Sequence, residues 1–290
     1  MLEAVPNVSE GRDRAVIDEI GNAFASPARL LDVHADPDHH RSVFTLAGRR
    51  DALVDALVAG AARAVGLIDL RRHEGVHPRI GVVDVVPLVP LHADDMALAI
   101  AAASETARRL GEEVGLSVFL YGEGVEGKRP VFFRRGGLAE LERRIASGEL
   151  SPDFGPPRLD LGAGASLVGA RKPLVAYNVV LATDDVDVAR RIAAIVRESG
   201  GGMPGVQAMG LRLPRAGEVQ VSMNVVDLDR SALHEVFLRV RSEARELGVE
   251  VADGELVGLV PERALQAAQA AGVDVPGVDE TRVLERVLQI

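Results

Sequence analysis

The residues from His73 to Asp84 gather two imidazoles, two carboxylates and a guanidinium into one short stretch: His73, Glu74, His77, Arg79 and Asp84. Five of the seven histidines, His34, His39, His40, His73 and His77, fall between positions 34 and 77. A histidine near neutral pH can both take up and return a proton, so His77 is a candidate acid–base group, or else a histidine bonded to local backbone. Asp84 interrupts the apolar run Val82-Val83 and Val85-Val86. Strand alternation puts it on one face with Val82 and Val86, where a carboxylate needs a partner: it could orient His77 or tie down the loop amides. Asp36, Asp38, His39, His40 and Arg41 form a second polar group, able to bind a metal or a polar substrate, or to be only a solvated turn. Arg41, Arg79, Arg171 and Lys172 each begin or end a strand-like run, a position from which arginine suits bidentate carboxylate binding and from which it can equally be plain surface.

His73-Glu74-Gly75-Val76-His77 spells a zinc-peptidase pattern, but that chemistry needs a helix to put both imidazoles on one face. Gly75 weakens a helix, and Pro78 pushes His77 out of helical geometry. The expectation is therefore an irregular loop and no metal.

With 290 residues and 47% apolar composition the chain can bury one large or two modest cores. The absence of cysteine excludes disulfides, thiolate nucleophiles and Cys-based metal sites, and fits a cytoplasmic location. A net charge of −10 argues against general nucleic-acid binding. No apolar run reaches the roughly 20 residues of a membrane span, and no signal pattern opens the chain.

The elements that must position these groups follow from periodicity. Leu2 to Pro6 reads as a strand, followed by a turn at Asn7 to Gly11. A helix from about Asp13 to Phe24 carries Val16, Ile17, Ile20 and Phe24 on one face. Strands at Arg29 to Val33 and Ser42 to Ala47, a helix capped by Asp51, and a strand from Val82 to Leu91 complete a β-α-β-β-α-β order. A helix (Asp94 to Leu110) and a strand (Ser117 to Tyr121) are added. Gly122 to Gly137 is glycine-rich and basic, with Lys128, Arg129, Arg134 and Arg135; a helix from Leu138 to Ala146 follows. The glycine and proline density from Pro152 to Gly169 marks a hinge or ligand-bearing linker, and Gly164 to Gly169 reads as a turn. The same β-α-β-β-α-β order recurs from Leu174 to Val257, ahead of a helical tail from Pro261. The glycine run Gly200 to Gly205 lies between a helix and a strand, the wrong order for a dinucleotide fingerprint. The expected fold is α/β (α+β): two ferredoxin-like subdomains, residues 1–170 and 171–290, with helices on the outer faces and a substrate cleft between the sheets.

Several blocks, read in order, resemble the formiminotransferase domain family. They are Val5 to Arg12, Asp36 to Leu46, His73 to Pro90, Phe119 to Glu123, Pro152 to Pro156, Gly169 to Asn178, Pro204 to Gly210, Gln220 to Asn224 and Glu255 to Pro261. The resemblance implies a homodimeric enzyme that moves a formimidoyl group between N-formimidoyl-L-glutamate and the co-substrate tetrahydrofolate. It makes His77, which directly precedes the Pro78-Arg79 pair, the catalytic histidine. It places folate contacts on Gly155, Pro156, Pro157, Arg158, Leu159, Asp160, Leu161, Gly162, Ala163 and Gly164. Asp84, Asp38, His39, His40, Arg41, Arg79 and Arg171 are the groups expected to orient His77 or contact substrate.

The sequence departs from the family at His40, where asparagine is usual, at Val8, where phenylalanine is common, and at His34, where vertebrate members have aspartate. The chain lacks the cyclodeaminase domain fused to vertebrate members, so release of ammonia from the folate product is expected to need a separate protein. A folate-binding protein with altered one-carbon activity and a zinc hydrolase built on the histidines stand as alternatives.

Overall fold

The computed structural model describes residues 1–125 and 129–289; Lys128 of the basic stretch and Ile290 of the tail lie outside them. The chain divides into two compact units, Met1–Arg171 and Lys172–Ile290.

In the first unit, β1 (Leu2–Ala4) and β2 (Asn7–Val8) are two pieces of one line, broken where Pro6 has no N–H to give. Asn7-Val8 is thus strand, where the sequence suggests a turn. α1 (Arg14–Phe24) follows, its free amides at Ala15 and Val16 capped by the Asp13 carboxylate. Then come β3 (Arg29–Asp36), β4 (Arg41–Gly48), α2 (Arg50–Leu67) and β5 (Val83–Pro90). Asp51 sits inside the first turn of α2 and makes no cap bond there; at that place its charge suits the helix dipole. The strands lie side by side as β3, β4, β1 with β2, and β5, all antiparallel. That is the βαββαβ order.

The unit continues with α3 (Met96–Arg109), β6 (Ser117–Gly122), α4 (Pro130–Arg134), α5 (Gly137–Ala146) and β7 (Ala165–Ala170). β7 inserts between β5 and β6, parallel to both, and every residue in it is buried. Reading Gly164 to Gly169 as a turn within a linker is therefore corrected. Gly169 is not a turn signal here: a methyl group on it would lie 2.0 Å from the Tyr121 carbonyl of the neighbouring strand. Helices cover both faces of this part of the sheet, as a parallel extension requires. Val86, Leu88 and Val168 pack into the core of α1, α2 and α3, whereas Val85, Leu167, Phe119 and Tyr121 meet Phe133, Leu141 and Ile145 of α4 and α5.

In the second unit, β8 (Val175–Leu181), α6 (Val186–Val196), β9 (Val206–Leu213), β10 (Glu218–Val225), α7 (Leu233–Glu246) and β11 (Val251–Val257) repeat the order. The sheet runs β11, β8, β10, β9, antiparallel throughout. Tyr177, Val179, Val219 and Val221 pack against Ile192, Val196, Val236 and Phe237. The glycine run after α6 is a turn, with Gly201 and Gly205 at positive φ. The tail is helical in part, as α8 (Glu262–Ala270) and α9 (Leu284–Leu288). No described helix is long and apolar enough to cross a membrane.

Candidate active site

The loop from His73 to Ile80 contains no regular helix, so the two histidines of the zinc-like pattern share no helical face. Among the described residues no group of three or more metal-type side chains is placed to hold an ion. The loop presses on the Asp36–His40 turn: a methyl group on Gly75 would lie 2.4 Å from the His39 carbonyl. Val76 N–H donates to the Asp38 carbonyl at 3.0 Å. His73 Nε2 donates to the His40 carbonyl at 2.8 Å, and His40 Nδ1 to the Glu74 carbonyl at 2.8 Å. The His40 and His73 rings stack with centroids 3.9 Å apart. Burial, helped by the Arg79 cation, pushes the His73 imidazole down to about 4, so it is neutral near pH 7.

His40 also reaches Glu10 Oε1 at 3.1 Å. Burial opposes ionisation of Glu10, yet the Asp13 and Arg12 amides and the His40 ring hold its carboxyl below the usual range. On the far side of the turn His39 Nδ1 lies 3.2 Å from Asp36 Oδ2, and its ring meets His77 edge to face at 5.8 Å.

His77 Nδ1 stands 2.8 Å from the Pro78 carbonyl and 3.0 Å from Arg41 Nη1. Burial holds its pKa well below the ordinary value, reinforced by the cations of Arg41 and Arg134 and by His39. With its proton on Nδ1, given to the Pro78 carbonyl, the neutral ring is a base at Nε2.

Arg41 opens β4, and its fork is filled. Nε and Nη2 donate to Asn7 Oδ1 at 2.8 and 2.5 Å, and Nη1 to Asp84 Oδ2 at 3.0 Å. Burial lowers this guanidinium to about 10, with Asp84 opposing the shift. Asp84 is 1% exposed. Its Oδ1 accepts from Ile80 N–H at 2.8 Å, and its Oδ2 also accepts from Arg134 of α4. Burial would raise the Asp84 carboxyl, but Arg134 and Arg41 pull it below the usual range. A β-bulge makes this reach possible: Val83 and Val85 pair with Val8 and Asn7, which leaves Asp84 as the extra residue, out of the simple alternation.

Arg79 spends Nη2 on the Gly75 and His77 carbonyls at 2.6 and 3.0 Å, and so braces the loop. Arg171 donates its amide to the Leu88 carbonyl, near the opposite end of β5, and its buried guanidinium bonds Tyr121 beside Glu3.

The segment from Gly155 to Gly164 is tied to the sheet at both ends. Gly155 and Gly164 have positive φ, and a methyl group on them would strike the Leu116 and Ile80 carbonyls at 1.9 and 2.1 Å. At those two glycines the neighbour is the protein's own backbone. Val82 N–H donates to Ala163 O and Ser9 Oγ to Gly81 O, so the far end of the segment abuts the strand that carries Asp84. Pro156, Pro157, Arg158, Asp160 and Leu161 are exposed, Leu159 and Gly162 half-buried, and Ala163 buried.

Residues 1–171 match the model of the formiminotransferase domain, N-terminal subdomain, and residues 176–273 match that of the formiminotransferase domain. The chain belongs to the formiminotransferase family. It is 38% identical to a glutamate formimidoyltransferase of Thermoplasma acidophilum, over all of this chain and 97% of that one. A second, from Streptococcus pyogenes serotype M1, is 37% identical over 91% of this chain and 90% of its own. The formimidoyltransferase-cyclodeaminase of Rattus norvegicus is 39% identical over 93% of this chain but only 52% of its own length.

In this formiminotransferase chain the structure brings His77, Arg41, Asp84, Arg79, His39, His40 and Asp38 into one cluster. Arg171 adjoins it through Tyr121, whose phenol it bonds and which also feels the charges of Arg134 and Asp84. Sequence reading missed Asn7, Glu10 and Arg134. Asn7 and Glu10 lie inside a block that carries the family resemblance, a signal that could have found them. Arg134 had only its place in a basic run.

Proposed function

We propose that the chain transfers a formimidoyl group between N-formimidoyl-L-glutamate and tetrahydrofolate, giving 5-formimidoyltetrahydrofolate and L-glutamate, in histidine degradation and one-carbon metabolism. The names of the Thermoplasma and Streptococcus relatives, matched over nearly their whole lengths, support the activity. The observation that carries the mechanism is the neutral His77 ring, engaged at Nδ1 by Arg41 and Pro78.

The folate amine attacks the amidine carbon, and a carbon–nitrogen bond forms. His77 takes the proton from that nitrogen. The tetrahedral adduct collapses as His77 returns the proton to the glutamate nitrogen, and the second carbon–nitrogen bond breaks. Every proton is accounted for by one imidazole, so neither a metal nor a covalent nucleophile is called for. Arg41 and Asp84 hold the ring. The exposed stretch from Pro156 to Leu161, next to this strand, is the surface we assign to folate.

The test is to mix pure protein, tetrahydrofolate and N-formimidoyl-L-glutamate and follow the folate spectrum. Conversion that requires both substrates is expected. Folate binding without conversion would replace this reading with that of a folate-binding protein of altered activity.

A further inference from the structure

Around Asp84 the positive groups outnumber the negative ones. Arg41, Arg79 and Arg134 lie about this one buried carboxylate. Asp36 and Glu10 face His39 and His40 on the neighbouring turn, where the buried Asp38 also lies, and the imidazoles of His73 and His77 are neutral near pH 7. The three guanidinium groups differ in how far they are used. Arg41 has acceptors on Nε, Nη1 and Nη2. Arg79 turns back onto its own loop. Arg134 gives Nη2 to Asp84, but its Nε is buried and has no acceptor among the described residues. Arg50 and Arg197 also have a buried Nε without an acceptor, but Arg134 is the one of these three that shares Asp84 with Arg41 beside His77, where an anion would complete its bonds.

We propose that Arg134 binds the α-carboxylate of the formimidoyl donor. The inference rests on the reading of this site as a formimidoyltransferase, and it chooses between the donor's two carboxylates. In N-formimidoylglutamate the α-carboxylate lies three bonds from the reacting carbon, through the nitrogen and Cα. The γ-carboxylate is two bonds further away. Arg134 shares Asp84 Oδ2 with Arg41, whose Nη1 also meets His77 Nδ1. Two residues, Asp84 and Arg41, link Arg134 to the His77 ring, and we assign to Arg134 the donor carboxylate nearer the reacting carbon. Arg134 is then a binding and specificity residue, and its side chain, 17% exposed, keeps an opening to solvent.

The test compares three donors: N-formimidoyl-L-glutamate, its α-carboxamide and its γ-carboxamide. In the parent protein the α-carboxamide should raise the donor KM about 10- to 100-fold, the worth of a charge-assisted hydrogen bond. Arg134→Gln should raise the KM for the natural donor by a similar factor, lose its preference over the α-carboxamide, and keep both the γ-carboxamide penalty and the tetrahydrofolate KM near parent values. Arg134→Lys keeps a cation for Asp84 and should recover part of the preference. A purely structural role would raise the KM for both substrates and leave the preference for the α-carboxylate intact, which would overturn the proposal. Calorimetric binding of N-formyl-L-glutamate and its α-carboxamide gives a readout without turnover. If the parent catalyses no transfer yet prefers the carboxylate and Arg134→Gln does not, the transfer reading fails and the anion site stands. If the parent binds both alike, the site fails.

Discussion

Arg41 Nη1 stands 3.0 Å from both His77 Nδ1 and Asp84 Oδ2, so one arginine nitrogen joins the His77 ring to the buried carboxylate. The Pro78 carbonyl competes for the same Nδ1 at 2.8 Å. With its proton on Nδ1, His77 donates to Pro78 and is basic at Nε2. In that form a proton gained at Nε2 makes an imidazolium, which returns the proton from the same nitrogen. With Arg41 donating into Nδ1 the ring proton sits on Nε2 and that nitrogen is no base, so the proposed transfer uses the form bonded to Pro78.

Replacing Arg41 by methionine should therefore change the pH profile as well as the rate. The Arg41 cation is the first influence after burial in depressing His77, so its loss should move the acidic limb of kcat/KM toward higher pH. An unmoved limb, with the rate alone reduced, would mean that Arg41 acts only on substrate.

His77→Ala should lose about 100- to 10,000-fold in turnover, the usual worth of general acid–base help. Folate affinity should change far less. His73→Ala should retain most activity, because His73 Nε2 is engaged by the His40 carbonyl and its ring is stacked on His40. Single-turnover rates with folate binding alongside decide it; a dead His73 variant would refute the assignment.

Asp84→Asn should destabilise the fold by about 3–5 kcal/mol, as removing one partner from a buried ion pair does. The amide would leave Arg41 and Arg134 without their common counter-charge. Urea unfolding measures this directly, and a loss below 1 kcal/mol, on the scale of an exposed pair, would contradict it.

The local signals of this site were legible, and the folded-back ones were not. Gly75 and Pro78 were enough to refuse a helix to His73 and His77, because both act on the residues beside them. Arg41 was visible as a charged residue at a strand end, and Asp84 as a carboxylate interrupting an apolar strand. Their meeting with Arg134 was not, since it spans 50 residues and depends on α4 packing across β5, β7 and β6. Strand alternation misplaced Asp84 because a single extra residue at the bulge resets the faces. β7 was hidden by its own glycines, which serve close strand contacts there.

Stability should fall as the pH drops from about 6.5 toward 4. His73 is pushed to about 4 in the native protein against 6.5 when free, and His77 is shifted in the same direction. In that window the unfolded chain binds more protons than the native one, so stability rises with pH. Asp84 and Glu10 have lowered native values, and the stability they add is lost further down, as the pH falls below the unfolded carboxyl range through those values. His73→Gln keeps a donor for the His40 carbonyl but cannot titrate. Its melting temperature should vary less than the parent's between pH 6.5 and 4.5; equal slopes would place the proton uptake elsewhere.

His40 has φ +50°, in the left-handed region, where asparagine, aspartate and histidine are the side chains best tolerated outside glycine. This conformation lets consecutive residues face opposite ways, His39 toward Asp36 and His77, and His40 toward Glu10 and His73. The resemblance puts asparagine at this position in most of the family, and the backbone gives a physical reason: the constraint is conformational before it is chemical. His40→Asn should keep the turn and, through its amide N–H, a donor for the Glu74 carbonyl, and lose the bond to Glu10 and the stack on His73, a change of about 1 kcal/mol. His40→Val carries a β-branched side chain into the same φ, and should cost about 1–3 kcal/mol more than the asparagine variant. Urea denaturation of the two variants and the parent gives the comparison. If the valine and asparagine variants unfold at the same midpoint, backbone strain does not govern this position, and the preference for asparagine has to be sought in its side-chain bonds.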